Sequence, residues 1–137
     1  MTVYFDYSHT VNEQDIDELG HAGNIQYIKW MQDAAVAHSL ANGWPAQKYI
    51  ELGAGWVVRS HKITYLKPAF LGDSVVIKTW VASARSASSV RCYEIVNDKG
   101  VMLAQAETVW AFINYAKQKP TRIPNEVAVC FEIPGES

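Results

Sequence analysis

The sequence predicts an α+β fold in which a curled antiparallel sheet of about five strands wraps around one long central helix. Residues 24–42 are apolar over most of a helix's circumference, which is typical of a buried helix. From Trp56 onward, runs rich in β-branched and aromatic residues are separated by short turns, and short connections join antiparallel strands. Because one helix cannot cover so apolar a sheet, we also expect a homo-oligomer.

The composition narrows the class of protein. The 137 residues carry a formal net charge of −2, and we expect residues 1–137 to form a single domain, since single cores usually span roughly 100 to 200 residues. The sequence has no cluster of Lys and Arg of the kind that indicates nucleic-acid binding, and the long helix is too polar to span a membrane. Cys92 and Cys130 lack metal-ligand spacing, and no secretory leader is visible at Met1, which indicates reduced thiols in a cytoplasmic protein.

The first strand and the helices are expected within residues 3–52. Residues 3–12 alternate apolar and polar side chains, which predicts a strand. Asn24 is a favoured N-cap for the long helix, and Gly43 stands where a left-handed residue often follows a helix. Pro45, tolerated at a first helical position, begins a short second helix that runs to about Leu52.

Four further strands are predicted at residues 56–67, 75–84, 89–97 and 101–115. Pro68 ends the first of them, since proline cannot donate to a sheet ladder. Turn residues separate the others at 71–73, 85–88 and 98–100. Small side chains on one face of the last strand, Ala104 and Ala106 among them, leave room for the helix. We expect residues 117–126 to form a surface tail and residues 127–133 a short edge strand.

The turn before the long helix carries the candidate chemistry. Asp17, Gly20, His21 and Gly23 stand directly before Asn24. Glycine lets a ligand approach the main chain closely, and the first N–H groups of a helix have no intrahelical partner. A carboxylate beside such donors indicates an anion or oxyanion site. The alternative is that Asp17 and Asn24 only cap the turn and the helix, a common use of both residue types.

Two motifs carry a resemblance to a known family. They are Asp17-x-x-Gly20-His21-x-x-Asn24-x-x-Tyr27-x-x-Trp30, and Tyr65-Leu66-Lys67-Pro68-Ala69 followed by Gly72-Asp73. Over residues 3–124 the chain resembles the hotdog-fold acyl-CoA thioesterases of the 4-hydroxybenzoyl-CoA thioesterase type. The resemblance implies hydrolysis of an acyl-CoA thioester by a homodimer or homotetramer with its active site at the subunit interface. It implies no metal and no cofactor, with coenzyme A entering as part of the substrate.

The resemblance also implies roles for individual residues. Asp17 becomes the nucleophile or the general base, the helix start at Gly23 and Asn24 becomes the oxyanion hole, and His21 is a third catalytic candidate within the turn formed by Gly20. The candidate substrate contacts are Tyr27, Thr64, Trp44, Trp56, Arg85, Ser86, Ser88 and Arg91. Among these, the two tryptophans flank the glycine-rich segment where the acyl pocket of such a fold tends to lie. The segment from Arg85 to Arg91 is expected to hold coenzyme A phosphates, since Arg suits phosphate.

Other functions stay open on the same fold. The thioester carrier is coenzyme A or an acyl carrier protein, and a dehydratase or hydratase would pair a catalytic His with a carboxylate in another arrangement. A non-catalytic acyl-CoA-binding module would bind tightly without hydrolysis. His38 is interpreted as a core residue, and His9 and His61 as strand residues, because a zinc site needs three or four ligands in defined geometry.

Overall fold

The computed structural model describes residues 3–131, which form one antiparallel sheet packed against a long helix. The strands are β1 (Phe5–Thr10), β2 (Ala54–Tyr65), β3 (Ser74–Arg85), β4 (Ser88–Asn97), β5 (Met102–Asn114) and β6 (Lys119–Pro120). The helices are α1 (Asn24–Ala41), α2 (Ala46–Leu52) and α3 (Asn125–Ala128), with a 3₁₀ turn at Glu13–Asp15. The predicted α+β architecture, with a sheet curled around one long helix, is confirmed.

The sheet has the strand order β1-β3-β4-β5-β2, and β6 pairs with the end of β5. All of these pairs are antiparallel. Register shifts interrupt β2 between Val58 and Ser60, and β3 between Val81 and Ser83. Irregularities of this kind increase local twist, so they help the sheet to curl. Within this sheet β1 and β2 are the edge strands.

The main core lies between α1 and the concave face of the sheet. Tyr27, Trp30, Met31 and Ala34 of α1 are at most 2% exposed. They belong to one cluster with sheet residues that include Val75, Ile77, Tyr93, Ile95, Leu103 and Ala104. The apolar i, i+3, i+4, i+7 spacing of the helical members explains why this face packs inward.

The other face of α1 is uncovered in the protomer. Ile25, Val36 and Leu40 are 77%, 64% and 59% exposed. The prediction of a helix buried nearly all round is therefore wrong for a single protomer, because the sheet curls around one side of α1 only. This apolar stripe along the helix, which exposed Lys29 and Gln32 interrupt, has no partner among residues 3–131.

The starts of both longer helices differ from the prediction by one residue. Gly23 occupies the N-cap of α1 with φ −70° and ψ 151°, and Asn24 is the first helical residue. Likewise Pro45 is the N-cap of α2. The Gly23 carbonyl accepts the first turn's hydrogen bond from the Gln26 amide at 3.0 Å, which fixes the cap one residue before the expected position. Gly43 has φ +91°, the predicted left-handed conformation after the helix.

The C-terminal segment differs from its prediction more than the helix starts do. Within the described part of residues 127–133 the predicted edge strand is wrong, because residues 125–128 form α3; residues 132 and 133 lie outside the described residues. The predicted surface tail is also partly wrong, since β6 lies within it and Ile123 is buried. Ile123, Val127 and Phe131 recur every four residues and are all buried. That spacing suits one face of a helix, which short apolar runs do not distinguish clearly from a strand.

Candidate active site

The turn before α1 is closed by its own backbone. The Asp17 amide donates to the His21 carbonyl at 2.9 Å, and the Gly20 amide donates to the Asp17 carbonyl at 3.1 Å. Gly20 has φ +85°, a conformation that favours glycine. The Ala22 amide donates to the carbonyl of Ala69 at 2.8 Å, in the second motif. The two motifs found in the sequence are therefore joined in space.

The buried carboxylate of Asp15 holds the same turn in place. Asp15 is 5% exposed, and its Oδ2 accepts hydrogen bonds from His9 Nε2 at 2.7 Å and the Asn12 amide at 3.0 Å. Burial by itself would raise the pKa of Asp15, but the His9 and Asn12 hydrogen bonds and the His9 charge hold that pKa below its usual value. The Asp15 carbonyl also accepts from the Gly23 amide at 3.0 Å. Asp15 thus ties β1, the turn and the helix start together.

Asp17 presents one carboxylate oxygen to the turn and the other to the helix start. Its Oδ1 accepts a hydrogen bond from the Leu19 amide at 2.8 Å, which is the capping role expected of a turn aspartate. A Cβ added to Gly23 would lie 3.6 Å from the Asp17 Cβ and 3.7 Å from Oδ2. The side chain is exposed, so Oδ2 faces both solvent and the first residues of α1.

The helix start offers amide donors, but not all of those predicted. The Gly23 amide is already bonded to the Asp15 carbonyl, so it is not available to a ligand. Gln26 donates back to Gly23. Within residues 3–131 the amides of Asn24 and Ile25 have no acceptor, as expected of the first residues of a helix. The available donors therefore begin at Asn24, one residue later than the predicted pair.

A shallow depression of about 210 Å³ lies over this helix start. It is lined by His21, Ala22, Asn24, Tyr27, Tyr65, Leu66, Lys67 and Pro68. The Tyr65 hydroxyl donates to the Asn24 carbonyl at 3.2 Å, and the Tyr27 and Tyr65 rings meet edge to face at 5.2 Å. Burial raises the pKa of both tyrosines, so both hydroxyls remain protonated at neutral pH. His21 Nδ1 lies 3.2 Å from the Ala22 carbonyl and so contacts the turn backbone.

The remaining predicted substrate contacts lie elsewhere. Thr64 is exposed on β2 and is not part of the wall of this depression. Arg85, Ser86 and Ser88 are exposed at the turn between β3 and β4. The inclusion of Arg91 in that surface is wrong, because its side chain is 6% exposed and points inward.

Trp44 and Trp56 line a second, larger cavity of about 520 Å³. Its wall is formed by the second half of α1, by α2, by α3 and by the sheet, and includes Ser39 of α1. Ser39 lies about 22 Å along the helix from Asn24 at a rise of about 1.5 Å per residue. One protomer therefore does not bring the two tryptophans to the turn, and their contact with substrate stays a prediction.

A buried polar cluster was missed from the sequence. Arg91 Nη1 donates to His38 Nδ1 at 2.9 Å and to Thr79 Oγ1 at 3.1 Å. The sequence held a signal for its burial, because Ser89, Arg91, Tyr93 and Ile95 alternate along β4 and all four are buried. The expectation that His38 is a core residue is confirmed, since it is fully buried.

Residues 3–131 contain neither a candidate metal-binding cluster nor a candidate membrane-spanning helix. No group of three or more His, Cys, Asp or Glu side chains is placed to hold a metal ion. No helix in this part of the chain is long and apolar enough to cross a membrane.

Comparison with known protein families shows the family to which the chain belongs. The family model described as the thioesterase-like superfamily matches residues 11–131. The chain belongs to the thioesterase-like superfamily. This assignment confirms the predicted family and the enzyme class, a thioester hydrolase.

Proteins similar to this chain agree with this assignment. The acyl-CoA thioester hydrolase YbgC of Escherichia coli O157:H7 is 26% identical over 131 residues, which is 96% of this chain and 98% of YbgC. The 1,4-dihydroxy-2-naphthoyl-CoA thioesterase Slr0204 from Synechocystis superposes with a TM-score of 0.86 at 21% identity, covering 93% of this chain and 94% of that one. SAV2348 from Staphylococcus aureus, solved in complex with CoA, has a TM-score of 0.88 at 16% identity, covering 93% and 80%. The hotdog fold is confirmed.

The anchoring role of Asp15 predicts a stability that depends on pH. The folded-state pKa of Asp15 lies below its usual value, so the ionised carboxylate stabilises the fold above that usual value, and this contribution is lost as pH falls through the folded pKa. We expect Asp15→Asn to lower the free energy of unfolding at pH 7 by about 1 to 3 kcal/mol. Urea denaturation of both proteins from pH 7 to pH 3 measures the difference, which should shrink below about pH 4. A difference that stays constant over this range would contradict the role.

Proposed function

We propose that this chain hydrolyses acyl-CoA thioesters at the turn before α1, with the thioester carbonyl bound between Asp17 and the first amides of the helix. The observation that carries the proposal is the approach of the Asp17 side chain to Gly23, next to two amides without acceptors among residues 3–131. A carboxylate and an oxyanion site side by side are the parts that thioester hydrolysis needs. The family membership and the names of the similar proteins support the same reaction.

The Asn24 amide is the proposed principal oxyanion donor. As the thioester carbonyl is attacked, negative charge develops on its oxygen, and a fixed N–H at a helix start stabilises that charge without reorganising. Gly23 is excluded as a donor by its bond to the Asp15 carbonyl. One such donor contributes on the order of 3 kcal/mol to lowering the barrier.

Asp17 acts in one of two ways that the geometry supports equally. As a general base, it takes a proton from water while the water oxygen bonds to the thioester carbon; the C–S bond then breaks and the thiolate of coenzyme A leaves. As a nucleophile, Oδ2 bonds to the carbonyl carbon, coenzyme A leaves, and water hydrolyses the resulting anhydride. In both cases Oδ1 stays bonded to the Leu19 amide, which keeps the carboxylate oriented.

The coenzyme A part of the substrate is proposed to contact the exposed β3–β4 turn. Arg85, Ser86 and Ser88 offer a guanidinium and two hydroxyls there, groups that suit phosphate. Arg91 is removed from this set because it is buried. The carrier is therefore proposed to be coenzyme A, and a carrier-protein thioester is the competing substrate in the test below.

We further propose that the protein works as a homo-oligomer in the cytoplasm. Ile25, Val36 and Leu40 leave an apolar stripe of α1 exposed, and the outer edge of β2, a strand of 12 residues, has no partner strand among residues 3–131. Long uncovered edges and apolar patches are usually paired or covered. Cys92 and Cys130 are free thiols, which suits a reducing compartment.

The role of Asp17 predicts a large loss of activity in Asp17→Asn. The asparagine retains an oxygen for the Leu19 amide, so the turn is kept while the base or nucleophile is removed. We expect kcat for thiol release from a panel of short, long and aromatic acyl-CoAs to fall by about a hundredfold or more. Glu18→Gln, a charge removal at the next exposed position, is the matched control and should retain activity within about threefold.

Several results of this assay would overturn the proposal. Equal rates for wild type and Asp17→Asn would remove Asp17 from the mechanism. Thiol release from acyl-carrier-protein thioesters alone would replace coenzyme A as the carrier. Water addition to an enoyl-CoA without thiol release would indicate a hydratase, and tight acyl-CoA binding without turnover would indicate a binding module.

The oligomer is tested by measuring molar mass in solution. We expect sedimentation of the wild-type protein at low micromolar concentration to give a dimer or tetramer. Val36→Lys places a charge on the apolar stripe of α1 and should shift the mass toward the monomer. Gln47→Lys adds the same charge at an exposed polar position of α2 and should not. A monomeric wild type would contradict the proposal.

A further inference from the structure

Arg91 is a buried cation in the wall of the larger cavity. It lies on β4 with 6% of its surface exposed. Its Nη1 donates to His38 Nδ1 and Thr79 Oγ1, and the guanidinium carbon lies 5.6 Å from the centre of the Phe131 ring. Neither His38 nor Thr79 is a carboxylate. Among residues 3–131 the guanidinium is therefore contacted by hydrogen-bonding groups and an aromatic ring, and not by an acidic side chain.

Within residues 3–131 no carboxylate pairs with Arg91. The ion pair found in this part of the chain joins His9 to Asp15 instead. Burying an unpaired charge costs free energy, and buried charges in proteins are normally paired. Burial lowers the pKa of Arg91, but a guanidinium remains protonated at neutral pH. Among residues 3–131 the site therefore holds a positive charge without an anionic partner.

The anion has a space to occupy, since Arg91 forms part of the wall of the 520 Å³ cavity. The wall is otherwise mainly apolar, with Ala35, Trp56, Val81, Trp110 and Phe131 among its members. A volume of this size falls in the range of about 300 to 1,000 Å³ typical of small-molecule sites.

The hydroxyl groups of Ser39, Tyr49 and Ser89 in the wall do not compete for that anion. Ser39 Oγ donates to the Trp44 carbonyl at 2.8 Å and accepts from the Tyr49 hydroxyl at 2.9 Å. Trp56 Nε1 donates to the same Tyr49 oxygen at 3.2 Å, and Ser89 Oγ donates to a main-chain carbonyl at 3.0 Å. By contrast, Nη2 and Nε of Arg91 have no acceptor among residues 3–131. These Arg91 donors are available to a ligand.

We propose that this cavity binds an apolar molecule bearing a carboxylate, of the fatty-acid class, with the carboxylate paired to Arg91 and the hydrocarbon against the aromatic wall. The planar guanidinium presents donors in a fork that matches the two oxygens of a carboxylate. Within one protomer the cavity is separate from the turn at Asp17, because it begins more than two turns of α1 beyond Asn24. The inference does not depend on the proposed hydrolysis.

The test compares decanoate with 1-decanol, which has the same chain length and no charge. Trp44, Trp56 and Trp110 line the cavity, so intrinsic tryptophan fluorescence reports binding without a label. At pH 8, where decanoate is ionised, wild type is expected to bind decanoate at least tenfold more tightly than decanol. Equal affinities, or no binding of decanoate, would overturn the proposal. No thioester is present, so a failure of the hydrolysis assay does not affect this result.

Variants then assign the preference to the guanidinium. Arg91→Met should lower decanoate affinity about tenfold or more, to the level of decanol, while decanol affinity changes less than threefold. Arg59→Met, which removes an exposed arginine from β2, is the matched control and should leave both affinities unchanged. A preference for decanoate that survives in Arg91→Met would overturn the proposal.

Two further variants keep the test decisive if Arg91→Met does not fold. Ala84→Trp adds a large side chain to the cavity wall and should weaken both ligands at least tenfold; unchanged binding would place the ligands elsewhere and overturn the proposal. Glu132→Gln with Glu136→Gln removes the two carboxylate side chains that follow Phe131 in the sequence. A tenfold gain in decanoate affinity there would mean that the chain's own carboxylates occupy Arg91, which would also overturn it.

Discussion

The buried residue Asp15 and the hydrogen bonds of its carboxylate and main chain determine where the proposed catalytic groups lie. Through Oδ2 it binds His9 of β1 and the Asn12 amide, and through its main-chain carbonyl it binds the Gly23 amide. The contact with the Gly23 amide both positions the N-cap of α1 and occupies the donor that Gly23 would otherwise offer. The helix start therefore presents Asn24, with Asp17 beside it, as a consequence of a residue that lies outside the proposed chemistry.

The length of α1 separates two regions of different character. Its N-terminus carries polar donors beside a shallow depression, whereas its C-terminal half borders a larger, mainly apolar cavity whose wall includes the buried Arg91. The N-terminal region suits binding of a thioester carbonyl at an exposed surface, and the cavity suits a hydrocarbon with a charged end. Because the apolar stripe of α1 is uncovered in one protomer, assembly would change the surroundings of both regions.

The sequence predicted the features that depend on local pattern. The elements were located from the apolar run of α1 and from turn residues such as Pro68 and Gly100. The motif around Asp17 located the turn and the loop that contacts it. It failed where long-range contacts decide. Gly23 became the N-cap because of Asp15, and α3 formed because Val127 packs against Trp44 and Phe112. Arg91 was grouped with its sequence neighbour Arg85, although the alternation along β4 points it inward.

The most direct test of this account removes a single N–H. Proline is tolerated at the first helical position, and Gly23 already has the extended backbone that a residue before proline prefers, so Asn24→Pro should delete the Asn24 amide and keep α1. Asn24→Ala removes the same side chain and keeps the amide. With circular dichroism confirming the fold of both, we predict that kcat for acyl-CoA hydrolysis is about a hundredfold lower in Asn24→Pro than in Asn24→Ala. Equal kcat values would show that this amide does not stabilise the transition state.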